Sequence, residues 1–397
     1  MKTCVLACLL AATAAAAELP SPVIPAGVGV NIHFTRGHAA DLDLIAAAGC
    51  KFVRMDFSWQ GTERKAGDYD WSAYDELTAN LDRRGLRALY ILDYSNALYE
   101  EAITVTDKRT KLEHKETASP QRPESVAAFA RWAGAAAAHF RGRHVIWEIW
   151  NEPNIHFWKP KPDVKQYVAL ALATARAVRA ADRETTLVAP ATSTFPWEFF
   201  ETLFSSGILA ELDAVSVHPY RPYRQSPETA AADYAKLRAL IAKHAPAGKK
   251  DLPVLSGEWG YATHDKGVPL DTQAAFVVRQ QLANLLDGVP LSIWYDWKND
   301  GPDATYNEHN FGLVTPDLQP KPAYLALQTM TRELAGYRIA RRVATGGDDW
   351  VLLWVNPAGE QKLAAWTLGE PHRLELDLGT KRLPLELAAM PKYLPLN

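Results

Sequence analysis

Two glutamates stand where the sequence could do acid–base chemistry. Glu152 lies in His144-Val145-Ile146-Trp147-Glu148-Ile149-Trp150-Asn151-Glu152-Pro153-Asn154, at the point where an apolar run gives way to Asn and Pro. Glu258 lies in Pro253-Val254-Leu255-Ser256-Gly257-Glu258-Trp259-Gly260, at the end of a second such run. Paired carboxyl groups suit cleavage of a glycosidic bond, which needs one protonated acid to release the leaving oxygen and one carboxylate to attack or to activate water. For that, 105 residues of intervening chain must bring Glu152 and Glu258 face to face.

The hydrophobic pattern shows how. Short β-rich runs alternate with longer helical runs along most of the chain. Strands are predicted at 27–34, 51–57, 86–94, 144–150, 186–191, 214–218, 253–258 and 290–297. Helices are predicted at 38–48, 71–84, 124–140, 163–181, 197–206, 227–244, 271–286 and 321–334. Eight βα units without antiparallel hairpin signals between them point to a closed parallel barrel, an α/β fold of the (β/α)8 TIM type. Long connections follow the third, fourth and eighth strands, and the segment 95–123 reads as charged and irregular. Such barrels keep their sites at the carboxyl ends of the strands, where Glu152 and Glu258 fall on strands four and seven. From Gly336 onward short apolar stretches broken by Gly and Pro predict a small C-terminal β module. The expected organisation is residues 1–17 as a signal peptide, 18–335 as the catalytic barrel and 336–397 as the β-rich module.

The segments Trp150-Asn151-Glu152-Pro153 and Ser256-Gly257-Glu258-Trp259 resemble those of the clan A glycoside hydrolases. The form Trp-x-x-Trp-Asn-Glu-Pro-Asn is most similar to family 39 and its bacterial exopolysaccharide-cleaving relatives, with the cellulase-like enzymes of family 5 second. The resemblance spans residues 27–334 and implies a retaining double displacement, with Glu152 as acid/base, Glu258 as nucleophile, and carboxyl groups about 5–5.5 Å apart. It also implies that Arg54, near the end of strand two, hydrogen-bonds the nucleophile, and that Asn151 holds the sugar 2-hydroxyl. In His218-Pro219-Tyr220 it implies that Tyr220 bonds Glu258 and His218 sits by Glu152, either being alternatively a satisfied structural group. Trp294 aligns with the strand-eight Trp that floors the sugar subsite, with Trp297 as competitor. Trp259, beside the nucleophile, is a further substrate-binding candidate. His33, ending strand one, binds a hydroxyl or is an ordinary core or surface histidine.

Other residues are open to two readings. Glu148 shares the strand parity of Glu152 and is read as a buried acid with a structural partner. Asp296 and Asp300 sit in the long strand-eight loop beside Glu308. Trp59, Trp158, Tyr94, Tyr99, Trp197, Tyr223 and Tyr261 fall in or near carboxyl-end loops, as stacking surfaces for sugar rings or as core.

Composition narrows the alternatives. Lys+Arg 43 against Asp+Glu 46 gives a net charge of −3, without the field that draws a protein to nucleic acid or anionic lipid. The start Met1-Lys2-Thr3, the apolar run 4–17 and the small residues Ala15-Ala16-Ala17 read as a secretory leader cut before Glu18, which places the protein outside the cytoplasm, secreted or periplasmic. No later stretch is long and apolar enough for a membrane span. Removing the leader leaves Cys50 alone, so the mature chain has no internal disulfide. Eleven histidines are scattered, with no His-x-His on strand one and no His-Glu-x-x-His, so neither a metal nor an organic cofactor is expected. The expected partner is a polysaccharide or oligosaccharide. Aromatics spread over several loops favour cleavage within a chain; the alternatives are an exo-acting, xylosidase-like β-glycosidase, or a secreted polysaccharide-binding protein without turnover.

Overall fold

The computed structural model describes residues 19–107, 109–223, 225–379 and 382–396. The expected leader and its cleavage point lie outside the described residues. Eight parallel strands close into a barrel: β1 (Val28–Asn31), β2 (Phe52–Ser58), β3 (Arg87–Asp93), β4 (Ile146–Ile149), β5 (Thr186–Ser193), β6 (Ala214–His218), β7 (Val254–Trp259) and β8 (Ser292–Trp294). Closure is made by β1, which pairs with β8 through Val28↔Ser292 and Val30↔Trp294 and with β2 through Gly29↔Phe52. A Cβ on Gly29 would stand 2.4 Å from Ile293 Cδ1, so the seam requires glycine. The helices are α1 (Ala39–Ala47), α2 (Ser72–Asp82), α3 (Pro123–His139), α4 (Val164–Ala181), α5 (Trp197–Ser205), α6 (Ala231–His244), α7 (Leu270–Leu286) and α8 (Pro322–Glu333). Local chemistry fixes their ends: Pro123 opens α3, and the Asp163 carboxylate accepts from the Lys165 and Gln166 N–H groups to cap α4. No helix among the described residues is long and apolar enough to cross a membrane.

Both faces of the strands are buried, which is why they read as nearly continuous apolar runs. Alternate residues point outward against the helices, among them Val53, Tyr90, Trp147, Val217 and Trp294. Their neighbours point inward and fill the barrel with Phe52, Leu89, Ile91, Ile146, Val188, Ala214, Leu255, Leu291 and Ile293. Two residues further along the same inward face, the side chains become Arg54, Asp93, Glu148 and Ser216, all buried. Cys50 is buried in the outer layer, where desolvation pushes its thiol up to about 12.

After α8 the chain forms a four-stranded antiparallel sheet and a two-stranded ribbon. The sheet strands are β9 (Arg338–Val343), β10 (Asp349–Val355), β11 (Gln361–Thr367) and β14 (Lys392–Pro395), and the ribbon is β12 (His372–Asp377) with β13 (Arg382–Leu387). Trp350, Leu352, Trp354, Ala364 and Trp366 belong to the same apolar cluster as the outer layer of the barrel. The Trp366 indole donates to Glu228 at 2.8 Å, and Glu228 is also held by Arg279 of α7. This sheet therefore buries one face against the barrel.

One expectation is corrected here. Segment 95–123 is not irregular throughout: Ala102–Thr106 and Glu113–Thr117 pair as an antiparallel hairpin. Its strands are mostly exposed, so the apolar alternation that marks a half-buried strand is weak there.

Candidate active site

The upper end of the barrel is organised by a single guanidinium. Arg54, buried on β2, donates through Nε to Glu148 Oε2 at 2.7 Å, and through Nη1 to Glu258 Oε2 at 2.5 Å and Asn31 Oδ1 at 3.1 Å. Its Nη2 reaches Asn151 Oδ1 at 2.8 Å and His218 Nε2 at 3.2 Å. These five contacts match its five N–H groups. Glu148 is thus the partnered buried acid that strand parity suggests, and its second oxygen accepts from Ser216.

Glu258 receives two hydrogen bonds, from Arg54 and from the Tyr220 hydroxyl at 2.8 Å, which is the pattern of a carboxylate acceptor. It reaches the barrel axis through an irregularity in β7: pairing with β8 shifts register between Ser256↔Ser292 and Trp259↔Trp294. The bulge turns Glu258 to the inside directly after Gly257, where a Cβ would lie 2.4 Å from Ser216 Oγ.

Glu152 is held differently. Beyond β4, Trp150 and Glu152 have φ of 66° and 46°, in the left-handed region, and the Glu152 N–H bonds the Ala191 carbonyl at 2.9 Å. Its carboxyl is buried and accepts from His218 Nδ1 at 2.9 Å. Because His218 Nε2 faces a guanidinium that can only donate, Nε2 must accept and the proton belongs on Nδ1, pointing at Glu152. Burial keeps this imidazole neutral, lowering its pKa to about 4. Burial also raises Glu152, to about 7, against the opposing charge of Arg54. One carboxylate oxygen of Glu152 and one of Glu258 lie within 4.8 Å of each other.

A cleft of about 850 Å³ opens over this pair. Its floor and walls include Asn31, His33, Arg54, Asn151, Glu152, Tyr220 and Glu258, so most of the residues singled out in the sequence converge there, while His218 lies beneath, between the two glutamates. His33 is half-exposed with Nε2 3.5 Å from Asp296 Oδ2. Partial burial pulls its pKa down, but the Asp296 hydrogen bond and charge outweigh that and raise it to about 9.

Three expectations fail. Trp294 is fully buried in the outer layer, its indole donating to the Phe311 carbonyl at 3.3 Å; the next residue, Tyr295, is the one that lines the cleft. A one-residue offset in a strand exchanges the two faces, and either Trp294 or Tyr295 satisfies an aromatic pattern. Trp297 is also buried, bonded to Asp41 at 2.9 Å between α1 and α8. Trp259 follows the β7 bulge and packs outward near Tyr261. Of the loop aromatics, Tyr94 and Tyr223 line the cleft, whereas Trp59, Trp158 and Tyr261 are core. Asn31 and Asp56, not singled out in the sequence, also line it. Asp56 lies two residues beyond Arg54 on β2, so strand period alone could have placed it on the inner face.

Residues 23–301 match the family described as cellulase (glycosyl hydrolase family 5). The chain belongs to this family. A β-xylosidase of Caldicellulosiruptor saccharolyticus is 28% identical over 219 residues, 50% of this chain and 43% of that protein, so the match spans less than half of the relative's length. Among solved structures, a family 39 glycoside hydrolase from the gut symbiont Bacteroides cellulosilyticus WH2 superposes with a TM-score of 0.79 at 23% identity, covering 96% of this chain and 83% of that one. A family 39 β-xylosidase from Caulobacter crescentus gives 0.65 at 22% identity, covering 91% and 81%. At these identities the structural likenesses establish the shared barrel fold. The family match and the structural neighbours together agree with the resemblance to clan A read from the Asn-Glu-Pro and Gly-Glu-Trp segments.

Proposed function

We propose that this protein is a retaining glycoside hydrolase that removes β-linked sugar units from the end of an oligosaccharide or polysaccharide. The observation that carries the mechanism is the approach of the two carboxyl groups to within 4.8 Å. That spacing suits direct attack on the anomeric carbon and leaves no room for the water that inverting enzymes hold between carboxyls about 6.5–9.5 Å apart. Glu152, protonated near neutral pH, gives its proton to the leaving oxygen. Glu258 attacks and forms the glycosyl-enzyme, while Arg54 and Tyr220 keep its second lone pairs occupied and its position fixed. Glu152, now a carboxylate, then takes a proton from the water that releases the sugar. His218 holds Glu152 by a neutral N–H in both steps.

Action at a chain end rests on the hairpin 102–117. Lys159, in the loop after β4, forms an ion pair with Glu116 at the base of the hairpin. At the tip, Arg109 lies 3.7 Å from Asp303 and 4.7 Å above the Tyr306 ring, both in the loop after β8. The loops after β4 and β8 stand on opposite sides of the ring, so the hairpin bridges the two as a strap across the mouth of the barrel. A bridged mouth accepts a terminal sugar more readily than the middle of a chain. The similarity to a β-xylosidase supports a β linkage.

The test is incubation of the full chain, alongside its Glu258→Gln form, with β-glucans, mannans, xylans, bacterial exopolysaccharides and a set of aryl β-glycosides. Single sugars from the native protein alone support the proposal. Ladders of oligosaccharides would restore internal cleavage, and binding without products from either form would support the binding-protein reading.

A further inference from the structure

The five N–H groups of Arg54 are all engaged by Glu148, Asn31, Glu258, Asn151 and His218, which leaves a buried carboxyl beside it without a counter-ion. That carboxyl is Asp93, at the end of β3. It is fully buried, and neither oxygen finds a hydrogen-bond donor among the described residues. The side chain within its reach is another acid, Asp56, which lines the cleft. Two carboxylates cannot hydrogen-bond to each other without a proton, and a bare anion at Asp93 would carry the full cost of desolvation. The other charged groups acting on Asp93 stand on the two neighbouring strands, Arg54 on β2 and Glu148 on β4, the first already saturated and the second repulsive. Tyr74, packed from α2, gives its hydroxyl to the Asp56 backbone carbonyl at 2.8 Å instead.

We propose that Asp93 is a positioning residue that carries a proton and donates it as a hydrogen bond to Asp56, and that Asp56, so anchored, accepts a hydroxyl of the terminal sugar and selects an uncharged glycone over a uronic acid. This rests on the glycosidase reading above. Burial and the neighbouring Asp56 both hold the Asp93 carboxyl well above the ordinary carboxylate range, in keeping with a neutral acid at physiological pH. Asp56 lines the cleft together with Glu308, and Asp300 stands beside His33. The cations nearby are paired with carboxylates, Arg54 with Glu148 and Glu258 and His33 with Asp296. A sugar carboxylate placed there would meet the like charges of Asp56 and Glu308, whereas sugar hydroxyls meet acceptors suited to them.

Two measurements on the full chain test this, one of which needs no turnover. In thermal unfolding between pH 5 and 9, a proton bound to native Asp93 and absent from the unfolded chain makes the native protein lose stability as pH rises. Asp93→Asn, isosteric with the acid and still a donor, removes that dependence, so its melting temperature gains on the native protein's across the range. In the second, KM for an aryl β-xyloside or β-glucoside rises roughly 10–100-fold in Asp56→Asn and in Asp93→Ala, with kcat changed less, and Asp93→Asn recovers most of what Asp93→Ala loses. A glucuronide is turned over less well than the matching glucoside by the native protein, and the gap narrows in Asp56→Asn. Parallel melting curves for the native protein and Asp93→Asn would overturn the proton assignment. Loss in Asp93→Asn as large as in Asp93→Ala, or an unchanged KM in Asp56→Asn, would overturn the positioning role. If no glycoside is cleaved by the native protein, the functional reading fails, while the unfolding comparison still decides the state of Asp93.

Discussion

The inward face of the barrel changes character over two residues. Phe52 lies below Arg54, Ile91 below Asp93, Ile146 below Glu148, and Ala214 below Ser216 and His218, on the same strands with the same orientation. In the lower layer aliphatic and aromatic side chains pack against one another, and the free energy comes from apolar area removed from water. In the upper layer the buried polar atoms of Arg54, Glu148, Ser216 and His218 are matched to partners, Asp93 being the exception, and the arrangement is specified by donor and acceptor identity rather than by shape. The lower layer is a rigid base, and it makes the cost of the upper layer tolerable. It holds the strands so that Arg54, Glu148 and Glu258 cannot separate, which keeps ionic groups paired without water. Below, volume is what a substitution disturbs; above, it is charge and proton position.

Substitutions in the two layers should therefore fail in different ways. The largest effect falls on Glu258→Gln, which loses at least about 10⁴-fold in kcat/KM because no nucleophile remains, while its melting temperature stays close to native. Glu152→Gln loses roughly 10²–10⁴-fold. In the native enzyme kcat/KM falls as pH rises through about 7, since Glu152 must carry its proton and burial sets its pKa there. That alkaline limb should vanish in Glu152→Gln when a substrate with a good leaving group is used. Arg54→Lys damages both properties: an ammonium has three donors where five are used, and breaking a buried ionic network costs about 3–5 kcal/mol by calorimetry. Leu89→Ala, in the lower layer, should cost about 2–5 kcal/mol of stability with kcat at 25 °C within roughly threefold of native. The smallest effect is that of Arg109→Ala at the tip of the strap, where the contact is exposed and stability should not move. Its readout is the product pattern, with longer products released as the strap loosens. A Leu89→Ala that lost activity without losing stability would break the division between the layers.

The sequence made the barrel legible because both faces of each strand are buried, so eight short apolar runs separated by helical periods stand out. The ends of β6 and β7 are placed within a residue, and α3, α4 and α8 likewise. The hairpin at 102–117 escaped because its strands are mostly exposed and only Ile103 and Val105 give it a half-buried apolar face. At the site, Glu152, Glu258 and Arg54 were visible as charged residues interrupting strand ends, a position that ordinary packing does not favour. The aromatic candidates misled for a physical reason: a Trp at a strand end serves the outer layer as well as a sugar subsite, and only the register of β8 and the bulge in β7 decide that Tyr295 faces the cleft while Trp294 and Trp259 turn away. Asp93 could not be read as neutral from sequence, since that follows from the saturation of Arg54 by groups on β1, β4, β6 and β7.

The central claim is that Glu258 becomes covalently bonded to the sugar while Glu152 serves as acid and then base. It is tested most directly by incubating the native protein with 2-deoxy-2-fluoro β-glycosides carrying a good leaving group, followed by intact mass and peptide mass spectrometry. The account predicts a stoichiometric mass increase of one fluorosugar located on Glu258 and absent from Glu258→Gln. No adduct, together with inversion at the anomeric centre of the first product of a cleaved glycoside, would contradict it.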